Sequence, residues 1–568
     1  MNHLVKTSLA LFISSTIIAC SGIRGNFEVD DVIHPSESNK NANVLKDVEV
    51  KPRERVEQAE GIMKPAFGYE ISTPIRNRHP NGTENTGDIT LSSNNIKPLM
   101  NPDMDIPHLD EIIQEAGYAI YTHNPNGKKN QKREQYDHIK FGYVLNDEYR
   151  KLDWSSNIYE TGPKGYIYFR GNEPSQSIPI TQGKISYKGN WDFVTDINTQ
   201  REQGSFDSEA AGTDYGATST DESTNSDITR GDIGHTSEFE VDFSNKNLTG
   251  ELYKNSPPIQ SNKSEKINRY SIRAKISGNR FSGSATATNK EDLYFGDSSN
   301  FLEGGFYGPN AEELAGKFLT DNGSLFAVFG AKRDVKNNEE IEQKLDTVVI
   351  DITNNHGYEN QYTFGEISNI VIDGVEYPLN PEIELTNGSK RSILESGLVN
   401  LKFGSMTDKK ENKYWLYFQG ERTSLKDMQS QPEGLVVYKG KWDGNGSVNG
   451  VNWNRLEGNL SEFNVNFADK QLSGILYDEI DNKGNIKAFN LIGNINKNGF
   501  TGLASTFDEY NVDNGSELGG NTINFKDVSV NGGFFGPNAN ELGGHFYYNK
   551  DNTKIGVVFG ATRQQSGN

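Results

Sequence analysis

One thiol in 568 residues, Cys20, is the side chain whose setting most plainly invites chemistry. Before it stand Lys6, an apolar run from Ser8 to Ile18 and then Ala19. The run is too short to cross a bilayer and has the build of a secretory signal segment over residues 1–19. Ile17-Ile-Ala-Cys20 has the form of a lipobox, with Ile17 where leucine is usual. The Cys20 thiol would take a diacylglycerol, and cleavage before Cys20 would free an amine for a third acyl chain. Three chains, at about 0.8 kcal/mol per buried methylene, anchor a protein stably where one chain does not. Ser21, rather than an acidic residue, directs such a product to the outer membrane.

Other chemistry is poorly served. The nine histidines show no His-x-x-x-His or His-Glu-x-x-His spacing and there is no second cysteine, so no metal site of the chain's own is expected. No Gly-x-Ser-x-Gly box supports a nucleophile, and carboxylates are too numerous for any pair of them to be informative. The glycine-rich boxes lack the Lys-Ser/Thr of a phosphate loop. The chain is therefore expected to be neither an enzyme nor the holder of a cofactor. With 57 Lys and Arg against 78 Asp and Glu, the net charge of −21 disfavours a nucleic-acid phosphate track. Residues 20–58 are polar and without periodicity, the composition of a flexible anchor peptide.

The elements that would position any site are written twice. Gly304-Gly-Phe-Tyr-Gly-Pro-Asn-Ala-Glu-Glu-Leu-Ala-Gly-Lys-Phe318 returns as Gly532-Gly-Phe-Phe-Gly-Pro-Asn-Ala-Asn-Glu-Leu-Gly-Gly-His-Phe546. Each is followed by a Val-Phe-Gly-Ala ending, at Val328 and Val558. Tyr187-Lys-Gly-Asn-Trp-Asp192 pairs with Tyr438-Lys-Gly-Lys-Trp-Asp443, and Ser237–Tyr253 pairs with Ser461–Tyr477. The order is kept, so a whole lobe is duplicated. An excess of about 27 residues in the first copy falls near 196–236, rich in Ser, Thr, Gly, Asp and Glu, and reads as a long loop.

Within each copy the alternation is that of half-buried strands, as in Phe239-Glu-Val-Asp-Phe243, broken by turn clusters such as Asn245-Lys-Asn247. There is room for about eight short strands per copy, which fits a closed antiparallel barrel filled by its own side chains. The expected architecture is mainly β, with two homologous lobes, each an eight-stranded antiparallel barrel preceded by a smaller β-rich handle domain. The boundaries read as handle 59–165 and barrel 166–333, linker 334–344, then handle 345–413 and barrel 414–568. Asp105–Ile113, with an acidic cap and Pro107 in its first turn, is the one convincing short helix.

The lipobox with its long tether, the doubled Gly-Gly-Phe-Tyr/Phe-Gly-Pro-Asn-Ala-x-Glu-Leu-x-Gly box, the doubled Tyr-Lys-Gly-x-Trp-Asp and the two handle segments together resemble the transferrin-binding protein B family. These are bilobed surface lipoproteins of Gram-negative bacteria, and the resemblance covers essentially the whole chain. It implies capture of iron-loaded host transferrin, mainly by the cap of the first lobe. It also implies anchorage in the outer membrane through lipidated Cys20, and delivery to a TonB-dependent receptor similar to transferrin-binding protein A. The iron would be carried by transferrin, not by this chain. A surface lipoprotein that binds lactoferrin or another host protein, and a lipocalin-like carrier with a pocket in a barrel, are the rival readings; dense acidic runs, usual in the second lobe of the lactoferrin-binding relative, are not seen.

A binding face needs aromatic groups that contact can desolvate. The first lobe offers Phe67, Tyr69, Tyr121, Tyr166, Tyr168, Phe169, Arg170, Trp191 and Phe193. Tyr168 and Phe169 belong to a strand pattern repeated at Trp415–Phe418, and Trp191 is repeated as Trp442, so packing competes with contact at each. Phe67, Tyr121 and Phe193 have no evident second-lobe partner and are favoured. The basic run Lys128–Arg133 reads better as a solvated loop.

Overall fold

The computed structural model describes residues 66–79, 90–100, 119–123, 136–146, 150–161, 164–180, 183–195, 234–256, 265–335 without 293, 339–353, 359–379 without 361–362, 366 and 373–374, 390–393, 398–408, 412–480, 484–507, 510–511 and 522–564. Cys20, the anchor peptide, the helix expected at Asp105–Ile113, the basic run Lys128–Arg133 and most of the long loop near 196–236 lie outside the described residues.

Each copy closes a barrel of eight antiparallel strands. In the first, Ile185–Thr195 pairs on one side with Gly234–Asp242 and on the other with Leu325–Arg333, which leaves no free edge. In the second, Leu435–Val448 pairs with both Val451–Asn466 and Thr553–Arg563. The inward positions are filled with rings: Trp191, Phe193, Phe239, Tyr270, Phe281, Phe306 and Phe329 share one core, and Trp442, Trp453, Phe463, Phe489, Phe500 and Phe534 another.

The repeated boxes join their barrel to itself. The Tyr187 hydroxyl donates to Ala311 O at 2.6 Å, and Tyr438 donates to Ala539 O at the same distance. Trp191 Nε1 donates to Tyr253 O, and Trp442 Nε1 to Tyr477 O, both at 2.9 Å. Glycine is required at Gly304 and Gly532 because a Cβ there would come 2.4 Å and 2.3 Å from the rings of Phe281 and Phe500. Gly308 and Gly536 turn the chain at φ +86° and +70°.

A five-stranded handle sheet lies beside each barrel. In the first lobe its order is Lys97–Leu99, Gly68–Ser72, Lys164–Gly171, Ile139–Asn146, Ala119–His123. In the second it is Glu359–Asn360, Leu345–Asp351, Lys413–Glu421, Leu401–Asp408, Lys390–Ile393. The strands Lys164–Gly171 and Lys413–Glu421, read from sequence as the first strands of the barrels, are central strands of the handles. The barrels begin only at Ile185 and Leu435. Alternation marks a half-buried strand but does not say which sheet it joins.

The glutamate of each box joins handle to barrel. Both Glu313 oxygens accept from the backbone, Oε1 from Asp137 N and Oε2 from His138 N and Ile139 N, at 2.7–2.9 Å. Glu541 takes Val399 N and Asn400 N in the same way. Burial raises both carboxyls above their ordinary value, against the pull of those donors.

The lobes also meet. The segment expected to be a plain polar linker is pinned: Ile341–Gln343 pairs with Ser177–Pro179, and Arg333 holds Glu339 at 2.7 Å. Lys344 reaches Glu421 at 2.8 Å. Asn279 Nδ2 donates to Thr363 O at 2.7 Å, and the turn at Gly278 lies so close to Gly365 that a Cβ would approach its Cα to 2.6 Å.

Candidate binding site

Most of the aromatic candidates lie inside. Phe67 is fully buried and meets Phe364 of the second lobe edge to face, with ring centroids 5.0 Å apart. It lacks a second-lobe partner because it is itself a contact between lobes. Tyr69 is buried between handle and barrel. Its hydroxyl accepts from Arg280 Nη2 at 3.3 Å, and Lys317 Nζ stands 4.9 Å from its ring centre. Burial, reinforced by Glu303, raises its pKa well above the ordinary value.

Tyr168, Phe169 and Arg170 are buried in the central handle strand. Trp191 and Phe193 are buried in the barrel, their rings 5.2 Å apart. Phe193 has a counterpart after all, displaced in sequence. The second-lobe position opposite the closing strand is Gly444, where a Cβ would come 2.6 Å from Trp453 Cη2. Trp453 thus fills from a neighbouring strand the space that Phe193 fills from its own. As contact residues, these seven are corrected to packing residues. Tyr166 is half-buried at the end of its strand. Tyr121 lies on the edge strand Ala119–His123 opposite Tyr143.

The most exposed aromatic group among the described residues is not among the sequence candidates. Arg150–Asp153 and Ile158–Thr161 form a hairpin, extended by Arg76–Arg78 into a three-stranded sheet on the first handle. At its tip Trp154 is 72% exposed and, two residues before, Leu152 is 42% exposed. No other large apolar side chain among the described residues is as open as Trp154.

Local hydrogen bonds brace the tip. Asp153 Oδ1 accepts from Ser155 N at 2.9 Å, from Ser155 Oγ at 2.6 Å and from Ser156 N at 3.4 Å, an Asx turn. Those bonds, the Ser155 hydroxyl first, hold the carboxyl down at about 2. Asn157 closes the turn at φ 57°, a conformation asparagine tolerates. The available sequence signal was a tryptophan among Asp, Ser and Asn, outside any apolar periodicity.

The model of the C-lobe and N-lobe β-barrels of transferrin-binding protein B matches residues 178–333 and 432–563. The model of its N-lobe handle matches residues 44–175. A transferrin-binding protein B of Neisseria meningitidis serogroup B is 34% identical over 99% of this chain and 99% of its own length. The chain belongs to the transferrin-binding protein B family. A Moraxella catarrhalis member is 32% identical over 84% of this chain and 75% of its own. Among solved structures, isotype 1 transferrin-binding protein B from serogroup B Neisseria meningitidis superposes with a TM-score of 0.73 at 33% identity, over 88% of this chain and all of that one. A tryptophan-to-alanine mutant of the Haemophilus parasuis family member gives 0.70 at 30% identity, over 92% and 100%. Two barrels and their handles in this order are thus the family's frame, and the exposed hairpin is carried on the family's N-lobe handle.

Proposed function

We propose that the protein captures iron-loaded transferrin through its first lobe, with Trp154 and Leu152 of the handle hairpin as apolar anchors. Family membership supports transferrin as the ligand. The observation that carries the site is an exposed tryptophan on a turn braced by hydrogen bonds among its own neighbours. A braced turn leaves less backbone freedom to lose on contact, and large aromatic groups dominate interface energetics. Selectivity for the iron-loaded form follows if the face reads a surface that iron fixes in the partner.

The rest of the reading is the protein's setting: acyl chains on Cys20 in the outer membrane, surface exposure, and passage of transferrin to a TonB-dependent receptor. The carrier alternative is disfavoured by barrel interiors packed ring on ring.

The test is a pull-down by the full chain carrying Cys20→Ala, against iron-loaded and iron-free transferrins from several hosts. Preference for an iron-loaded form supports the reading; equal retention of both forms, or of neither from any host, sinks it. Trp154→Ala is expected to weaken binding at least about 30-fold, the loss typical of an interface hot spot, with unchanged thermal stability. If that variant binds as the wild type does, transferrin capture survives and the hairpin loses its role.

A further inference from the structure

The sheet that carries Trp154 is basic in an acidic protein. Its strands are Arg76–Arg78, Ile158–Thr161 and Arg150–Asp153, with Ile158–Thr161 in the middle. Directly opposed residues of an antiparallel sheet share a face, and alternate residues along a strand return to it. Thr161 stands opposite both Arg76 and Arg150, and Tyr159 opposite both Arg78 and Leu152. One face therefore takes Arg76, Arg78, Arg150, Leu152, Tyr159 and Thr161, three arginine positions without a carboxylate.

The carboxylates of these strands fall at positions of the other face. Glu160 stands opposite Asn77 and Lys151 and reaches Lys164 at 3.9 Å. Asp153 accepts from Ser155 and Ser156 in the turn. Leu152, 42% exposed, leaves the arginine face open where it runs up to the Trp154 tip.

Over the whole chain the balance is reversed, with 57 Lys and Arg against 78 Asp and Glu and a net charge of −21. An acidic partner is repelled by most of such a surface and drawn to a local basic face, so charge sets the orientation in which it arrives. Arginine suits the task, since it is always charged and its planar fork takes a carboxylate through two parallel bonds. A long polyanion is disfavoured, because beyond this sheet its phosphates would run along an acidic protein. Resting on the hairpin as the place of transferrin capture, we propose that its arginine face seats a carboxylate-rich patch of the captured protein, beside the apolar anchors Trp154 and Leu152. The anchors hold the partner and the arginines guide it in.

The test is the association rate of iron-loaded transferrin, from a host whose protein the pull-down retains, with the full chain carrying Cys20→Ala across a salt series. The rate is expected to fall steeply as salt rises. Adding Arg78→Gln/Arg150→Gln is expected to slow association about tenfold at low salt and to flatten the salt dependence. Arg78→Lys/Arg150→Lys, which keeps the charge, should restore most of the rate, while Trp154→Ala should act on dissociation instead. Should the glutamine pair fail to fold by far-ultraviolet spectrum, Arg76→Gln alone is expected to give a smaller change in the same sense. A rate indifferent to salt, or folded glutamine variants that associate as the wild type does, overturns the arginine face and leaves transferrin capture standing. Failure of the wild type to bind any transferrin overturns both. Retention of the chain by phosphatidylglycerol vesicles, abolished in the glutamine pair, would give the face to a membrane and also overturns the proposal.

Discussion

The two lobes solve one problem, seating a handle on a barrel, with different side chains. Under the first handle lies a buried ion cluster: Glu303 binds Lys317 at 2.6 Å and Arg280 at 3.5 Å. Arg280 also donates to Ala66 O at 3.0 Å, which ties the cluster to the handle chain. The counterparts in the second lobe are Asn531, His545 and Gly499. There the cation comes from the other side. Arg422, at the end of a handle strand, pairs with Asp346 at 2.5 Å and places Nη1 only 2.2 Å from where a Cβ of Gly499 would be. Duplication preserved the need for a cation at the seam but not the strand that supplies it. Similarity between the copies reports the frame, and difference reports compensation as readily as function.

The largest test of that contrast is Glu303→Leu against Asn531→Leu. The first leaves two buried cations without their anion and is expected to cost about 3–5 kcal/mol in chemical denaturation. The second changes an exposed residue and is expected to stay within about 0.5 kcal/mol. Equal effects would mean that the first seam is not held by charge.

Next is the exchanged ring. Gly444→Ala puts a methyl against Trp453 and is expected to cost about 1–3 kcal/mol. Adding Trp453→Phe, which frees that space, should recover part of the loss. No recovery would break the equivalence of Phe193 and Trp453.

The seams should also answer to pH differently. Burial first, then Arg422, pushes His545 down to about 3. Between about 3 and its ordinary value near 6.5 the unfolded chain therefore binds a proton that the folded chain does not. Stability is full above that window and falls with pH inside it, by up to about 1.4 kcal/mol per unit. In His545→Gln this slope should vanish from second-lobe unfolding, while the first lobe, with Lys317 at the position, is unaffected. The smallest effect is expected for Lys246→Ala. This half-exposed lysine reaches across the lobes to Glu421 at 3.8 Å, and its removal should change stability by less than about 0.5 kcal/mol, as a thermal scan would show.

What the chain made legible was whatever repeats: duplication, period-two strands, the turn glycines and closure into two barrels. The assignment of Lys164–Gly171 and Lys413–Glu421 failed because a strand's alternation records that one face is buried, not what covers it. The seven buried site candidates differ from expectation for a related reason. Sequence favours Phe67 and Phe193 for lacking partners. Yet a residue can be unmatched because it touches the other lobe, or because its partner approaches from a different strand. Trp154 needed the opposite logic: neither paired nor periodic, it shows its exposure only once the hairpin beneath it is built.

The contact of Phe67 with Phe364 has a mechanical consequence. Any load arriving through residues before Ala66 is applied at the waist of the molecule, beside Arg280 and the second lobe, not at the rim of a barrel. The strand it first reaches, Gly68–Ser72, is bonded along both edges, to Lys97–Leu99 and to Lys164–Gly171. A pull along that strand must shear its bonds together instead of peeling them one by one. The two lobes would then be hauled as a balanced load, with neither barrel unzipping.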